Sequence, residues 1–306
     1  MHRTLLLPGL IAALILAIAA TIEGFGQQTP AEPTTLVPVF LTVTDREGKF
    51  VTGAGPDDFV VEENGESREI RLFSLAADIP LTVALAIDYS GSSVNTLRSA
   101  IGPARTFLNA TLGPNDQALV AGIASQVTLL QDLTRSDSLL DMSLDGLTPG
   151  GGSAIFDAIQ FLSLDRLGAQ GGRKAIVLLS DGEDTASRTR REDAIRSAQL
   201  AHVIVYAISI RDPQPPRLFR RPGNADNLEA FADATGGAVL GPLDPQGVQT
   251  ALEAITLELG SQYALAYVSP DSPTVSEYRE IRVRPRDPDL AVRARRGYYA
   301  AAQGQR

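Results

Sequence analysis

Three stretches of this chain are apolar almost without interruption: Leu81–Ile87, Ala175–Leu179 and Val203–Ile210. A strand with one wet face alternates polar and apolar residues. Continuous runs mark strands buried on both faces, as in a parallel sheet covered by helices. Between and after them, apolar residues recur at helical spacing: Val94, Leu97, Ile101, Ala104 and Phe107, then Ile155, Ile159 and Leu162, then Ala194, Ala198 and Ala201, and finally Val248, Leu252, Ile255 and Leu259. Ala118–Ile123 reads as a further strand, Val127–Leu130 as a short edge strand and Ala238–Leu240 as a short strand, with a short helix over Leu228–Ala234. This alternation predicts an α/β domain with a mostly parallel central sheet over about residues 78–260.

The flanks have a different texture. In Leu36–Thr44, Val37, Val39, Leu41 and Val43 alternate with Pro38, Phe40 and Thr42, the period of a half-buried strand. Phe59–Glu62 and Glu69–Phe73 read as two more strands joined around Asn64-Gly65, a strong hairpin signal because both turn residues take positive φ. Past the α/β region, Tyr263–Val268, Tyr278–Arg284 and Ala291–Tyr299 are strand candidates. Each flank, 36–77 and 261–300, is too small for a core of its own. The expectation is that they pair into one small all-β, sandwich-like domain. The arginines of the last strands (Arg282, Arg284, Arg293, Arg295) read as a solvated face, and residues 301–306 as a disordered tail.

At the N-terminus, His2 and Arg3 precede the apolar run Leu5–Ala20, which ends in the small residues Ala17, Ala19 and Ala20. A short positive start, an apolar stretch and a small-residue end are the pattern of a secretory signal, here residues 1–20, followed by a polar, proline-rich linker over 21–35. The other reading is an uncleaved membrane anchor, against which stand the shortness of the run and its Pro8 and Gly9. Both readings imply export to the periplasm or beyond; cleavage, the expected course, leaves no membrane span in the mature form.

Composition narrows the chemistry. The net charge of −9 disfavours phosphate backbones and hence nucleic acid as a partner. There is no cysteine, so disulfides, thiol nucleophiles and thiolate metal sites are excluded. Outside the leader the only histidine is His202, which follows Ala201, opens the strand Val203–Ile210 and reads as a packing residue. The two lysines, Lys49 and Lys174, follow no phosphate-binding loop, no G-x-S-x-G elbow occurs, and Ser90 stands where a haloacid-type phosphatase needs a second aspartate. The chain is expected to be non-enzymatic.

In open α/β sheets ligands bind beyond the carboxyl ends of the strands. After the first buried run comes Asp88-Tyr89-Ser90-Gly91-Ser92, after the second comes Ser180-Asp181-Gly182-Glu183-Asp184, and between them Gly150-Gly151-Gly152-Ser153 opens the helix carrying Asp157. Hydroxyls and carboxylates without thiol or imidazole suit a hard cation such as Mg²⁺, Mn²⁺ or Ca²⁺. The other reading of these groups is that Asp88 and Asp181 cap helices while Ser90 and Ser92 satisfy backbone donors. Asp157 and Asp184 read equally as outer supports of such an ion or as helix and turn carboxylates. The basic, proline-rich segment Arg211–Asn224, with Arg217, Arg220 and Arg221, would lie on the same edge. It reads either as a recognition loop for an acidic ligand or as a solvated loop.

The D-x-S-x-S of Asp88, Ser90 and Ser92, the glycine-rich loop ending in Ser153 and the strand-terminal Asp181, in this order, resemble the metal-ion-dependent adhesion site (MIDAS) of von Willebrand factor type A (VWA) domains. The resemblance covers roughly residues 79–260, and with its β flanks the chain is similar to bacterial secreted VWA-related proteins. It implies a Rossmann-like domain that binds proteins through Mg²⁺ or Mn²⁺, with Asp88, Ser90, Ser92, Ser153 and Asp181 as metal-site residues and an Asp or Glu of the partner completing the coordination. The family usually has threonine where Ser153 stands; the hydroxyl is kept and a methyl lost. Thr148 is a nearby alternative that precedes the glycines. A rival expectation is a metal-independent scaffold of a cell-envelope assembly.

Overall fold

The structure, a computed structural model, describes residues 35–90, 94–147, 150–210, 224–243, 245–269 and 277–300. The leader and the three arginines of the basic segment lie outside them.

The N-terminal flank supplies β1 (Thr35–Thr44), β2 (Phe59–Glu63), β3 (Glu66–Arg68) and β4 (Ile70–Leu75). The α/β region follows with β5 (Leu81–Asp88), α1 (Val94–Thr111), β6 (Gln117–Ile123), β7 (Val127–Thr134), α2 (Asp137–Leu144), α3 (Ile155–Phe161, prolonged by a π-helical turn) and β8 (Arg173–Ser180). It continues through α4 (Arg191–Leu200), β9 (Ile204–Ile210), α5 (Asn224–Thr235), β10 (Val239–Leu243) and α6 (Pro245–Ser261). The C-terminal flank adds β11 (Tyr263–Ser269), β12 (Glu277–Pro285), β13 (Ala291–Ala294) and β14 (Gly297–Ala300).

The central sheet runs β10-β9-β8-β5-β6-β7, parallel throughout except for the last pair. Every residue of β5 and β8 is buried, which is why Val83–Ile87 and Ala175–Leu179 within them are unbroken apolar runs. Side chains alternate between two cores. Val83, Leu85 and Ile87 face one way, onto Phe107 and Leu108 of α1, Leu140 and Leu144 of α2, and Leu252 and Ile255 of α6. Ala84 and Ala86 face the other way, onto Ile155 and Ile159 of α3, Ala194 and Ala198 of α4 and Phe231 of α5. Burying one such Leu, Ile or Phe side chain contributes about 1.5–3 kcal/mol. A mostly parallel α/β architecture is therefore what the molecule has.

The flanks form two antiparallel sheets, β13-β1-β11-β4 and β14-β12-β2-β3. Each mixes strands from both ends of the sequence: β1 pairs with β11, and β2 with β12. Val37, Val39, Leu41 and Val43 of β1 share one core with Phe59, Val61, Leu265 and Tyr267. The outer face of β1 meets the α/β region. Phe40 packs against its first core, and buried Thr42 donates to Glu258 Oε1 of α6 at 2.9 Å. Tyr206 of β9 donates to the same oxygen at 2.8 Å, and Arg293 of β13 pairs with Oε2 at 2.5 Å.

Several strand expectations change. Asn64 (φ 51°) and Gly65 (φ 82°) do make the hairpin turn, but its second strand is the short β3. The segment expected to pair there crosses over as β4 to the other sheet, against β11. The expected last strand Ala291–Tyr299 is split into β13 and β14, one in each sheet. Helix α2 went unforeseen, since Leu140 and Leu144 are its only buried residues. His202 does not open a strand. It sits at φ 55°, half-buried, closing α4 as Val203 N donates to Ala198 O at 2.9 Å. The arginines at the chain's end divide. Arg282 and Arg284 are exposed, whereas Arg293 is tied to Glu258 and Arg295 is buried, its guanidinium on Pro38 O and His202 Nδ1 and over the Tyr298 ring. Position at the joint between the two layers, rather than alternation, decides their burial.

Candidate metal centre

Strands β5 and β8 are parallel neighbours in register Ile87↔Leu179, so Asp88 and Ser180 end side by side at the carboxyl edge. Asp88 is fully buried and Ser90 and Ser153 nearly so, while Asp181 is half-buried. Asp88 Oδ2 accepts hydrogen bonds from Ser180 Oγ at 2.7 Å and Ser153 Oγ at 2.8 Å, and Oδ1 accepts from Ser90 N at 3.0 Å. Residues from all three sequence loops thus converge on one carboxylate, with Asp181 adjacent to one of its donors.

The loops are fixed to one another by main-chain bonds. Ser153 N donates to Thr185 Oγ1 at 2.9 Å, and Ser153 O accepts from Thr185 N at 2.8 Å and Ala186 N at 2.9 Å. Gly152 N donates to Ser125 Oγ at 2.9 Å, and Gly150 N to Tyr89 O at 3.0 Å. The glycines have a steric reason. Gly151 lies at φ +80°, and a Cβ there would come within 2.6 Å of Ser125 Oγ. Gly182 O accepts from Asn227 Nδ2 of α5 at 3.0 Å.

Burial raises the pKa of Asp88 above the ordinary carboxylate range, against the opposing hydrogen bonds from Ser180, Ser90 and Ser153. Among the described residues no Lys, Arg or His forms an ion pair with it. A buried carboxylate without a counter-charge is costly. Ser153 spends its hydroxyl proton on Asp88, which leaves its oxygen lone pairs available to an electrophile. The donors present are all hard oxygens, so the residues fit a hard divalent cation. Among the described residues no group of three or more His, Asp or Glu converges as ligands, so the ion would depend on hydroxyls as well as carboxylates.

Of the sequence-predicted site residues, Asp88, Ser90 and Ser153 are brought together and Asp181 stands beside them. Ser92, Thr148, Arg217, Arg220 and Arg221 lie outside the described residues. Asp184 Oδ2 accepts from Phe156 N at 3.0 Å and Ser187 Oγ at 2.6 Å. It caps α3, whose own N-cap, Ala154, provides no side-chain cap. The Asp157 carboxylate accepts from Thr189 N at 2.8 Å and Arg188 N at 3.1 Å. Burial works against ionisation of Asp157, but these hydrogen bonds and the Arg188 charge outweigh it and lower its pKa. Ser180 was overlooked by sequence reasoning. Its signal was its place, the last residue of a fully buried strand beside an aspartate.

A mostly parallel, helix-covered sheet with oxygen-rich loops on its carboxyl edge defines a Rossmann-like domain. Within this α/β domain, residues 83–183 match the sequence model of the von Willebrand factor type A domain. Among solved structures, proximal thread matrix protein 1 from the mussel byssus, with a zinc-occupied MIDAS motif, aligns over 65% of this chain and 50% of its own at 16% identity, TM-score 0.53. A von Willebrand factor type A protein from Catenulispora acidiphila aligns over 87% of this chain and 73% of its own at 14% identity, TM-score 0.49. An aerotolerance-related membrane protein from Bacteroides fragilis aligns over 58% and 98% at 20% identity, TM-score 0.47. No curated protein sequence matches significantly. Among the described residues no helix is long and apolar enough to cross a membrane.

Proposed function

We propose that this chain is an exported, non-enzymatic binding protein whose α/β domain holds a divalent cation through Asp88, Ser90, Ser92, Ser153 and Asp181, and that it captures an acidic side chain of a protein partner. The observation that carries the reading is the buried carboxylate of Asp88, without a paired cation among the described residues, on which the Ser153 and Ser180 hydroxyls converge. The zinc-occupied MIDAS motif of the mussel byssus protein, a fold relative, supports it. When bound, a hard cation with an open coordination position accepts a carboxylate oxygen from outside. The chain's part is positional. Asp88 orients the two hydroxyls, Thr185 and Ser125 hold the glycine-rich loop, and Asp181 adds the second carboxylate. Mg²⁺ is the expected ion, with Mn²⁺ and Ca²⁺ as competitors of the same chemistry. Export rests on the leader pattern of residues 1–20.

The test is thermal melting with and without metal. A ligand that binds only the native state raises Tm, by about 2.7 kcal/mol in stability at a hundred times its Kd. Mg²⁺ or Mn²⁺ is expected to raise Tm, EDTA to reverse the rise and Asp181→Ala to abolish it. A Tm indifferent to all three cations at millimolar concentration would remove the metal and leave the scaffold reading. Envelope proteins retained on the immobilised chain with Mg²⁺ but released by EDTA are the expected partners.

A further inference from the structure

At the opposite edge of the sheet a cavity of about 390 Å³ lies between the α/β domain and the first β-sheet of the flanks. Its walls come from the start of β8, the ends of α4 and α5 and the outer face of β1. Phe40, Val203 and Thr235 are among the residues that line it, and it is mostly apolar. Among the described residues its charged lining consists of Lys174 and Arg295, with His202 beside them and no Asp or Glu.

Neither Lys174 nor Arg295 has an acidic partner among the described residues. Arg295 places its guanidinium nitrogens on Pro38 O and His202 Nδ1, both 2.5 Å away, and its buried Nε has no partner. Lys174 is 93% buried by its 7% exposure, and its ammonium forms no hydrogen bond or ion pair with a described residue. Burial and the nearby Arg295 lower the pKa of Lys174, and burial pushes Arg295 down to about 10. At that value Arg295 is still a cation at neutral pH. In a protein with a net charge of −9, two adjacent buried cations without a carboxylate form a positive pocket in a negative surface. The volume matches small-ligand sites, which are mostly apolar with a few convergent polar groups.

We propose that this cavity binds a small carboxylate with an apolar body, its carboxylate on the Lys174 ammonium and the free Arg295 N–H, its hydrocarbon part against Phe40 and Val203. The site is separate from the metal centre. Lys174 begins β8 and Ser180 ends it, roughly 20 Å away at about 3.3 Å per residue.

The test is calorimetric titration of the full chain, in EDTA, with octanoate, octylammonium and inorganic phosphate. Octanoate is expected to saturate a single site and raise Tm. Octylammonium is expected not to bind, and phosphate to bind at least about tenfold more weakly for want of apolar contact. Lys174→Met should weaken octanoate at least about tenfold, the loss of one charge-assisted hydrogen bond. It should keep or raise the Tm of the ligand-free protein, because it removes a buried charge. Lys174→Arg should bind octanoate. No octanoate binding, equal binding of octylammonium, equally tight binding of phosphate or unchanged octanoate affinity in Lys174→Met would each overturn the proposal. Because EDTA is present throughout, none of these outcomes bears on the metal centre.

Discussion

At the scale of single residues the molecule commits several charges to its interior, and each burial has a definite chemical consequence. Glu63, at the end of β2, is the clearest case. It accepts from Tyr267 OH at 2.6 Å, Ser269 Oγ at 2.8 Å, Tyr298 OH at 3.1 Å and Arg279 Nη1 at 3.2 Å, and both members of its ion pair are at least 96% buried by exposures of 2% and 4%. Removing one partner of such a pair leaves the other charge desolvated and unmatched, which costs about 3–5 kcal/mol. Glu63→Ala is therefore expected to lower the urea-unfolding free energy by about that amount, and Glu63→Gln by less, since the amide keeps an acceptor. A loss below about 1 kcal/mol for Glu63→Ala would show that Arg279 finds water or another partner. Asp88 differs in kind. Its acceptors are filled by hydroxyls and an amide while its charge is unmatched among the described residues, which is what separates a candidate ion site from a structural carboxylate.

At the scale of elements, the same loops that shape the site also finish the helices. Helix α3 has at its N-cap, Ala154, no side-chain cap of its own and borrows one from Asp184, across the loop, together with Ser187 Oγ on Asp157 N at 3.1 Å. Losing an N-cap acceptor costs about 0.5–2 kcal/mol. Asp184→Ala is expected to fall in that range in denaturant melts, and Asp184→Asn to recover most of it. A metal-dependent rise in Tm that survives Asp184→Ala would place this residue with the scaffold rather than with the ion. The element scale is also where the sequence was most and least legible. β5 and β8 could be read because two-sided burial leaves a continuous apolar run, the loops of Asp88 and Asp181 followed from where those runs stop, and that of Ser153 from the glycines that open the next helix. The split of β13 from β14 could not, because the break at Arg295 and Arg296 is set by the joint between two sheets and carries no turn residue until Gly297. Nor could the role of Arg295, since nothing local distinguishes it from the exposed Arg282. Its surroundings are supplied by β1 and α4, more than ninety residues away.

At the scale of the whole molecule, the two layers are held together by a buried polar seam, and that seam makes the assembly sensitive to alkali. Tyr206 lies under it, donating to Glu258 and accepting from Gln262 Nε2 at 2.9 Å. Burial and the Glu258 carboxylate hold its pKa well above the ordinary phenol value, against the opposing charge of Arg293. Tyr267, in the flank core, is raised as well, by burial and then by Glu63. A raised phenol keeps its proton in the folded state while the unfolded chain ionises, so the native state binds more protons and stability falls with rising pH. The contribution is intact below the unfolded value of about 10 and declines above it, at about 1.4 kcal/mol per pH unit for each such tyrosine. Lys174 acts in the opposite sense. Its lowered pKa means the folded state sheds its proton first, and stability is regained across its own window up to about 10.5. Arg173 and Arg295, also lowered, act as Lys174 does, but the four raised phenols, Tyr206, Tyr267, Tyr278 and Tyr298, outweigh these three cations, so urea midpoints are expected to drop from about pH 9.5 to about pH 11. Tyr206→Phe should make that drop shallower by about one tyrosine's slope while losing a fraction of the stability at neutral pH, because Thr42 and Arg293 still satisfy Glu258. Midpoints that stay level or rise across that interval, or a Tyr206→Phe variant with the parent's slope, would show that the seam admits water and that the two layers open before the rest of the molecule unfolds.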